Sequence, residues 1–234
     1  MSGSTPAPVI DQDEWGICGF VSVLNALHEA GPLVRFGHAL SIDQIHERLA
    51  VEVVTFLKFV AAHEAIADGD TRVIGSRAGL ADRIVAFSRE LGGTATTLNG
   101  LVSEIEGQVI TASVAIGSGS AGSWAHTWGD TVVAMPVSGM CAYLEWHKVK
   151  HSLRATPLAL NGATLSGQTN CVVGLSDTRR PRSADPECGI LRHWVYVDRG
   201  GIVLNWGARV DVSGGLPANL TSKYDGICHV IELL

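Results

Sequence analysis

The apolar pattern changes period near residue 94, and that change narrows the class of fold open to the chain. Before it, apolar residues recur at helical spacing. Phe20, Val23, Leu24 and Leu27 fall at i, i+3, i+4 and i+7, and Gly31-Pro32 ends this first helix. Ser41 is a candidate N-cap for a second helix, with Ile42, Ile45 and Leu49 on one face. The stretch Val51 to Ile66 continues it despite the β-branched residues between Val51 and Thr55. A third helix is expected from about Ala78 to Leu91, closed by Gly92-Gly93. Beyond residue 94, short β-branched runs alternate with Gly, Ser, Asn and Asp clusters. The strand candidates are Val109 to Ile116, Thr131 to Val137, Cys141 to Trp146, His193 to Val197, Gly201 to Trp206 and Cys228 to Leu233. Gly117 to Ser123 and Asp177 to Glu187 read as loops, and the first ten residues as a loose arm. Helices first and strands second argue for an α+β fold rather than alternating βαβ units. No internal repeat is visible. The chain reads as one domain over residues 1–234, with a helical lobe over about 11–100 and a β-rich lobe over about 101–234.

Composition narrows the function classes. Apolar residues make up 46% of the 234 and charged residues 17%, enough for a sizeable core. The net charge of −6 carries no electrostatic footprint for nucleic acid, and the Arg179-Arg180-Pro181-Arg182 cluster reads as a solvated loop. No run of about 18 apolar residues offers a membrane span. The N-terminus lacks the basic start and apolar core of a Sec-type signal, so a cytoplasmic location, or export without such a signal, is expected. The five cysteines contain no C-x-x-C pair, which speaks against a zinc ribbon or thioredoxin-type motif.

One cysteine has a local context that suits chemistry. In Gln12-Asp13-Glu14-Trp15-Gly16-Ile17-Cys18-Gly19-Phe20, Cys18 stands where a loop becomes a helix. The free N–H groups and dipole there favour a thiolate. Gly16 and Gly19 are small neighbours that let a substrate backbone approach the sulfur. Gln12 is a candidate oxyanion donor, with the Cys18 N–H as the second. A cysteine nucleophile needs a base and a group to orient it. The segment from Leu191 to Gly207 reads as a hairpin closed by Asp198-Arg199-Gly200. That loop pairs Val197 with Gly201 and, counting outward, His193 with Asn205. Asn205 is then expected to accept Nδ1–H and hold Nε2 toward the sulfur, with Trp206 shielding the bond.

Rival sites are less complete. His126 and Asp130 lie beside the flexible loop without strand context. His147 and His151, at i and i+4, would share a helix face as metal ligands but lack a third ligand. His28, His46 and His63 fall on expected helices, His38 in a loop and His229 in a terminal strand, and Asp198 sits in the hairpin turn. No metal or organic cofactor is called for. Trp15, Phe20, Trp124, Trp128 and Trp194 are candidate cleft walls.

The order Gln12, Cys18, His193, Asn205 resembles the oxyanion residue and triad of the papain-like cysteine peptidase superfamily. Asn205-Trp206-Gly207 is similar to its Asn-Ser-Trp-Gly element. The Gln…Cys-Gly start also looks like that of bacteriocin-processing peptidases, which place Asp third. Trp15 and Gly19 stand where papain-type enzymes carry a disulfide cysteine and a tryptophan. This points to a divergent bacterial branch that includes peptidases, amidases, deamidating effectors and acyltransferases. The resemblance implies a helical lobe carrying the cysteine and a β lobe carrying the histidine. It also implies thiol hydrolysis of an amide in a protein or peptide substrate. Deamidation or acyl transfer, including in a toxin-type effector, would use the same residues. A catalytically silent binding module would need none of the four together.

Overall fold

The computed structural model describes residues 16–30, 42–67, 79–117, 131–154 and 157–234. Gln12, Trp15, His38, Trp124, His126, Trp128 and Asp130 lie outside the described residues. Five helices come first: α1 (Cys18–Ala30), α2 (Ile42–Ala67), α3 (Leu80–Glu90), α4 (Leu98–Gly117) and α5 (Val137–Trp146). There follow β1 (His151–Arg154), β2 (Leu158–Ala159), a short α6 (Gly162–Ser166), β3 (Cys171–Ser176), β4 (Leu191–Val197), β5 (Ile202–Asn205) and β6 (Ala208–Asp211). A single turn, α7 (Ala218–Thr221), precedes the last strand, β7 (Gly226–Leu233). The strands form one sheet in the order β1-β7-β3-β4-β5-β6, with β2 also on β7, and every pairing is antiparallel. The fold is therefore α+β, with its helices and strands segregated along the chain.

Two strand expectations are overturned. Residues 109–116 belong to α4 and residues 141–146 to α5. Their β-branched residues favour strand locally, but each segment continues a helix whose start is already committed by burial. Leu98, Leu101, Val102 and Ile105 bury one stripe of α4, and Met140, Tyr143 and Leu144 one stripe of α5. The strand expected at 131–137 is not formed either: Val137 begins α5, and residues 131–136 make only an isolated parallel bridge, Val132 to Gly16. Helical structure thus runs to Trp146, well past residue 100. The helix over α1 matches its expected bounds, but it is buried on every face from Cys18 to Leu27. It is a central helix rather than an amphipathic surface one.

The core explains that position. One cluster joins α1 through α5 to the face of the sheet bearing Val172, Trp194, Tyr196, Leu204 and Ile231. Phe20 anchors it, with ring centroids 4.8 Å from Tyr143 and 5.8 Å from Phe56. Glu52 is buried in this layer with partners at hand, His147 Nε2 at 2.9 Å and the donating Tyr143 hydroxyl at 3.1 Å. The opposite face of the sheet, with Val173, Leu175, Val195, Val197 and Val203, packs beneath Leu165, Val212, Leu220 and Tyr224. Central β3 is buried at all six positions, a continuous apolar run that carries no alternation to read. No helix among the described residues is long and apolar enough to cross a membrane.

Candidate active site

Cys18 is the first residue of α1, and the chain leading into it is clamped. Gly16 N–H donates to Thr131 O at 3.2 Å and Val133 N–H to Gly16 O at 3.1 Å. A Cβ on Gly16 would lie 2.7 Å from Val132 Cγ1, and one on Gly19 would lie 2.8 Å from Met140 Sδ. The smallness of both glycines is thus spent on packing within the protein. Gly16 also lines the cleft that holds Cys18, where substrate approach is expected, whereas Gly19 is buried behind it.

The His193 hairpin is closed one residue later than expected. Asp198 N–H donates to Ile202 O at 2.9 Å, and Gly201, at φ 80°, supplies the left-handed residue of a three-residue loop, Arg199 to Gly201. Asp198 Oδ1 accepts from the N–H groups of Gly200 and Ile202 and so fixes the turn. The strands pair Tyr196 with Leu204 and Val197 with Val203. The register is therefore shifted by two residues from the expected one. Asn205 falls opposite Val195, and His193 is its diagonal neighbour. A shift of two preserves the face, so the two side chains still meet.

They meet through Nε2. His193 Nε2–H donates to Asn205 Oδ1 at 2.7 Å, which reverses the expected roles of the ring nitrogens and leaves Nδ1 outside this bond. The carboxamide oxygen only accepts, so it also selects the tautomer with an unprotonated Nδ1. The imidazole lies between two aromatic rings, Trp206 at 5.1 Å and Tyr224 at 5.3 Å, the latter only 6° from parallel. Trp206 and Gly207 form the two-residue turn between β5 and β6 and both have positive φ, 45° and 67°. Nothing in the local sequence pattern marks Tyr224, which follows α7 and arrives from the far side of the sheet.

Cys18 and His193 line one cleft of about 730 Å³. Among the described residues no hydrogen bond joins the sulfur to the ring. The thiol of the buried Cys18 instead faces the backbone N–H groups of Trp194, Gly19 and Cys18 itself. Trp194 N–H shares its lateral direction with the N–H of Asp198, toward β5. The ladder with β5 involves only Tyr196 and Val197, so this N–H is free to meet the helix terminus. Burial dominates the electrostatics of both groups. It pushes the Cys18 thiol up to about 11 against those three N–H donors. It pushes the His193 imidazole down to about 4, with the Asn205 bond opposing and the Lys223 charge assisting. Burial thus disfavours the charged form of both groups and works against the thiolate that the helix terminus favours.

One side of the cleft is apolar, with Phe87 and Leu91 from α3 and its C-terminal end and Val132, Ala134 and Met135 from the segment before α5. Trp194 ties the two walls, its Nε1–H donating to Met135 O at 2.8 Å. The charged lining comes from Asp177, Arg179 and Arg180 in the loop after β3, Arg192 in β4 and Lys223 in the loop after α7, so the basic pair read as a solvated loop borders the site. Of the other sequence candidates, Phe20 is fully buried core, and His147 ends α5 while His151 lies in β1, so these two do not share a helix face. Among the described residues no group of three ligand side chains is placed to hold a metal. All five cysteines are free thiols. No family model, curated protein or solved structure matches this chain.

Proposed function

We propose that the chain is a thiol hydrolase of papain-like arrangement, in which Cys18 is the nucleophile, His193 the base and Asn205 the residue that orients it. The observation that carries this reading is convergence. A cysteine at the start of the central helix and an imidazole held by a buried carboxamide line the same cleft, although they come from opposite ends of the chain. Because burial disfavours charge on both groups, attack and proton transfer are coupled. Nδ1 takes the thiol proton as the sulfur adds to the amide carbonyl, and the resulting imidazolium stands beside the developing oxyanion. The Cys18 N–H at the helix start is one donor for that oxyanion, and Gln12 is assigned as the other from its position in the sequence. The imidazolium then protonates the leaving amine, and water hydrolyses the thioester.

Competitive alkylation tests the nucleophile. Cys141 and Cys228 are more exposed than Cys18, so exposure alone favours their reaction with iodoacetamide. Faster labelling of Cys18, abolished by His193→Gln, would report base assistance. Peptide mapping showing Cys18 no faster than the other four thiols would remove the assignment. Cys18→Ala is expected to abolish turnover without loss of folding.

A further inference from the structure

We propose that the cleft selects an acidic peptide, with a carboxylate side chain close to the amide under attack. This rests on the thiol hydrolase reading and adds the substrate class. The cleft is electrically lopsided. Its lining from the end of α3 and residues 132–135 brings no charge, while β4 and the loops after β3 and α7 bring four cations against one carboxylate. That carboxylate is already spent. Asp177 Oδ1 accepts from Arg179 Nε at 2.6 Å and Arg179 N–H at 3.1 Å, and Arg180 Nε stands 3.5 Å from Oδ2. Among the described residues the other two cations have no acidic partner. Arg192 donates only to the carbonyls of Leu191 and Pro181. Lys223 lies 4.6 Å above the Trp206 ring, which itself covers His193.

The placement gives the cluster its meaning. Lys223 stands over the Trp206 ring that stacks on His193, and Arg192, next to His193 in β4 but projecting from the opposite face of the strand, lines the same cleft. The whole chain carries a net charge of −6, so a cationic rim here runs against the molecule's own balance. An apolar wall opposite it keeps the local dielectric low and focuses the field on whatever enters. A nucleic acid would need a cationic surface along a track, whereas these charges ring one cleft beside an amide-directed nucleophile. A glutamate or aspartate near the attacked bond satisfies Arg192 and Lys223, while its neighbours rest on Phe87, Leu91 and Met135.

Tripeptide vinyl sulfones carrying Glu, Gln or Lys in turn at each position test this, with Cys18 labelling read by intact mass. At low ionic strength a Glu probe is expected to label Cys18 roughly tenfold faster than its Gln counterpart, and a Lys probe slower still. The Glu-to-Gln ratio should fall with added salt, and should fall again in Arg192→Gln and in Lys223→Gln. Reading the ratio within each variant separates charge selection from any general loss of reactivity, and Lys223 is exposed enough to be replaced without disturbing the fold. Equal labelling by Glu and Gln probes at every position would overturn the proposal while leaving the nucleophile intact. No labelling of Cys18 by any probe would overturn the hydrolase reading and this proposal with it.

Discussion

At the scale of single residues, burial sets the resting state of the candidate catalytic groups and leaves a measurable trace in stability. His193 has a folded pKa near 4 against an ordinary value of 6.5. Above pH 6.5 both folded and unfolded chains hold it neutral. As pH falls toward 4 the unfolded chain binds a proton that the folded chain refuses, so unfolding gains. This one group should cost about 3 kcal/mol of stability across that window. Urea unfolding of the wild type and His193→Gln at pH 7 and pH 4 measures it. The loss should shrink in the variant by about that amount, and an unchanged pH slope would mean that the ring is not held neutral. Asn205 offers a second handle. Asn205→Asp keeps an acceptor for Nε2–H and adds an opposite charge, so it should raise the imidazole pKa, seen as an upward shift in the His193 ring-proton titration by NMR. Asn205→Ala removes the acceptor, and probe labelling of Cys18 should slow by roughly 10²-fold as the ring loses its orientation. Variants with wild-type titration and labelling would disconnect residue 205 from the base.

At the scale of elements, the turn that follows β5 sets local strain against a local contact. A bulky residue at φ 45° costs roughly 1–2 kcal/mol relative to glycine or asparagine. Stacking of Trp206 on His193 returns a comparable amount, roughly 0.5–1.5 kcal/mol. Trp206→Asn should therefore change the unfolding free energy by less than about 1 kcal/mol, while slowing Cys18 labelling because one wall of the imidazole slot is gone. A large loss of stability with unchanged labelling would make Trp206 a packing residue only. The same hairpin shows what the sequence made legible. A three-residue loop with a left-handed glycine was readable, and because side chains alternate with period two, sliding the loop by one residue kept His193 and Asn205 on one face. The choice of ring nitrogen was not readable, because it follows from the diagonal rather than direct pairing. Nor was β3 found, since its six buried residues have no polar alternation. The segments 109–116 and 141–146 are helical rather than strand because the apolar stripes that begin α4 and α5 upstream of them override the local β preference of their β-branched residues.

At the scale of the molecule, the site exists only where helices and sheet meet, so its geometry depends on the two being one cooperative unit. The central helix carrying Cys18 has no exposed face over its first ten residues. Part of its cover is Trp194, Tyr196 and Leu204 from the sheet, in the same apolar cluster as Phe20, Val23 and Leu24. Removing the sheet would expose that side of α1, at about 25 cal/mol for each Å² of apolar surface returned to water. The Trp194 bond to Met135 O fixes the same seam with a directional contact. A helical half folding alone would thus retain an unburied central helix, which is an unfavourable state. Unfolding in urea followed by far-UV circular dichroism, which reports mainly the helices, should coincide with that followed by tryptophan fluorescence, to which buried Trp194 contributes. Coincident transitions would mean that the cleft forms and is lost with the fold as a whole. Two separated transitions would mean that the helices persist without the sheet, and the alignment of Cys18 with His193 would then need a docking step beyond folding itself.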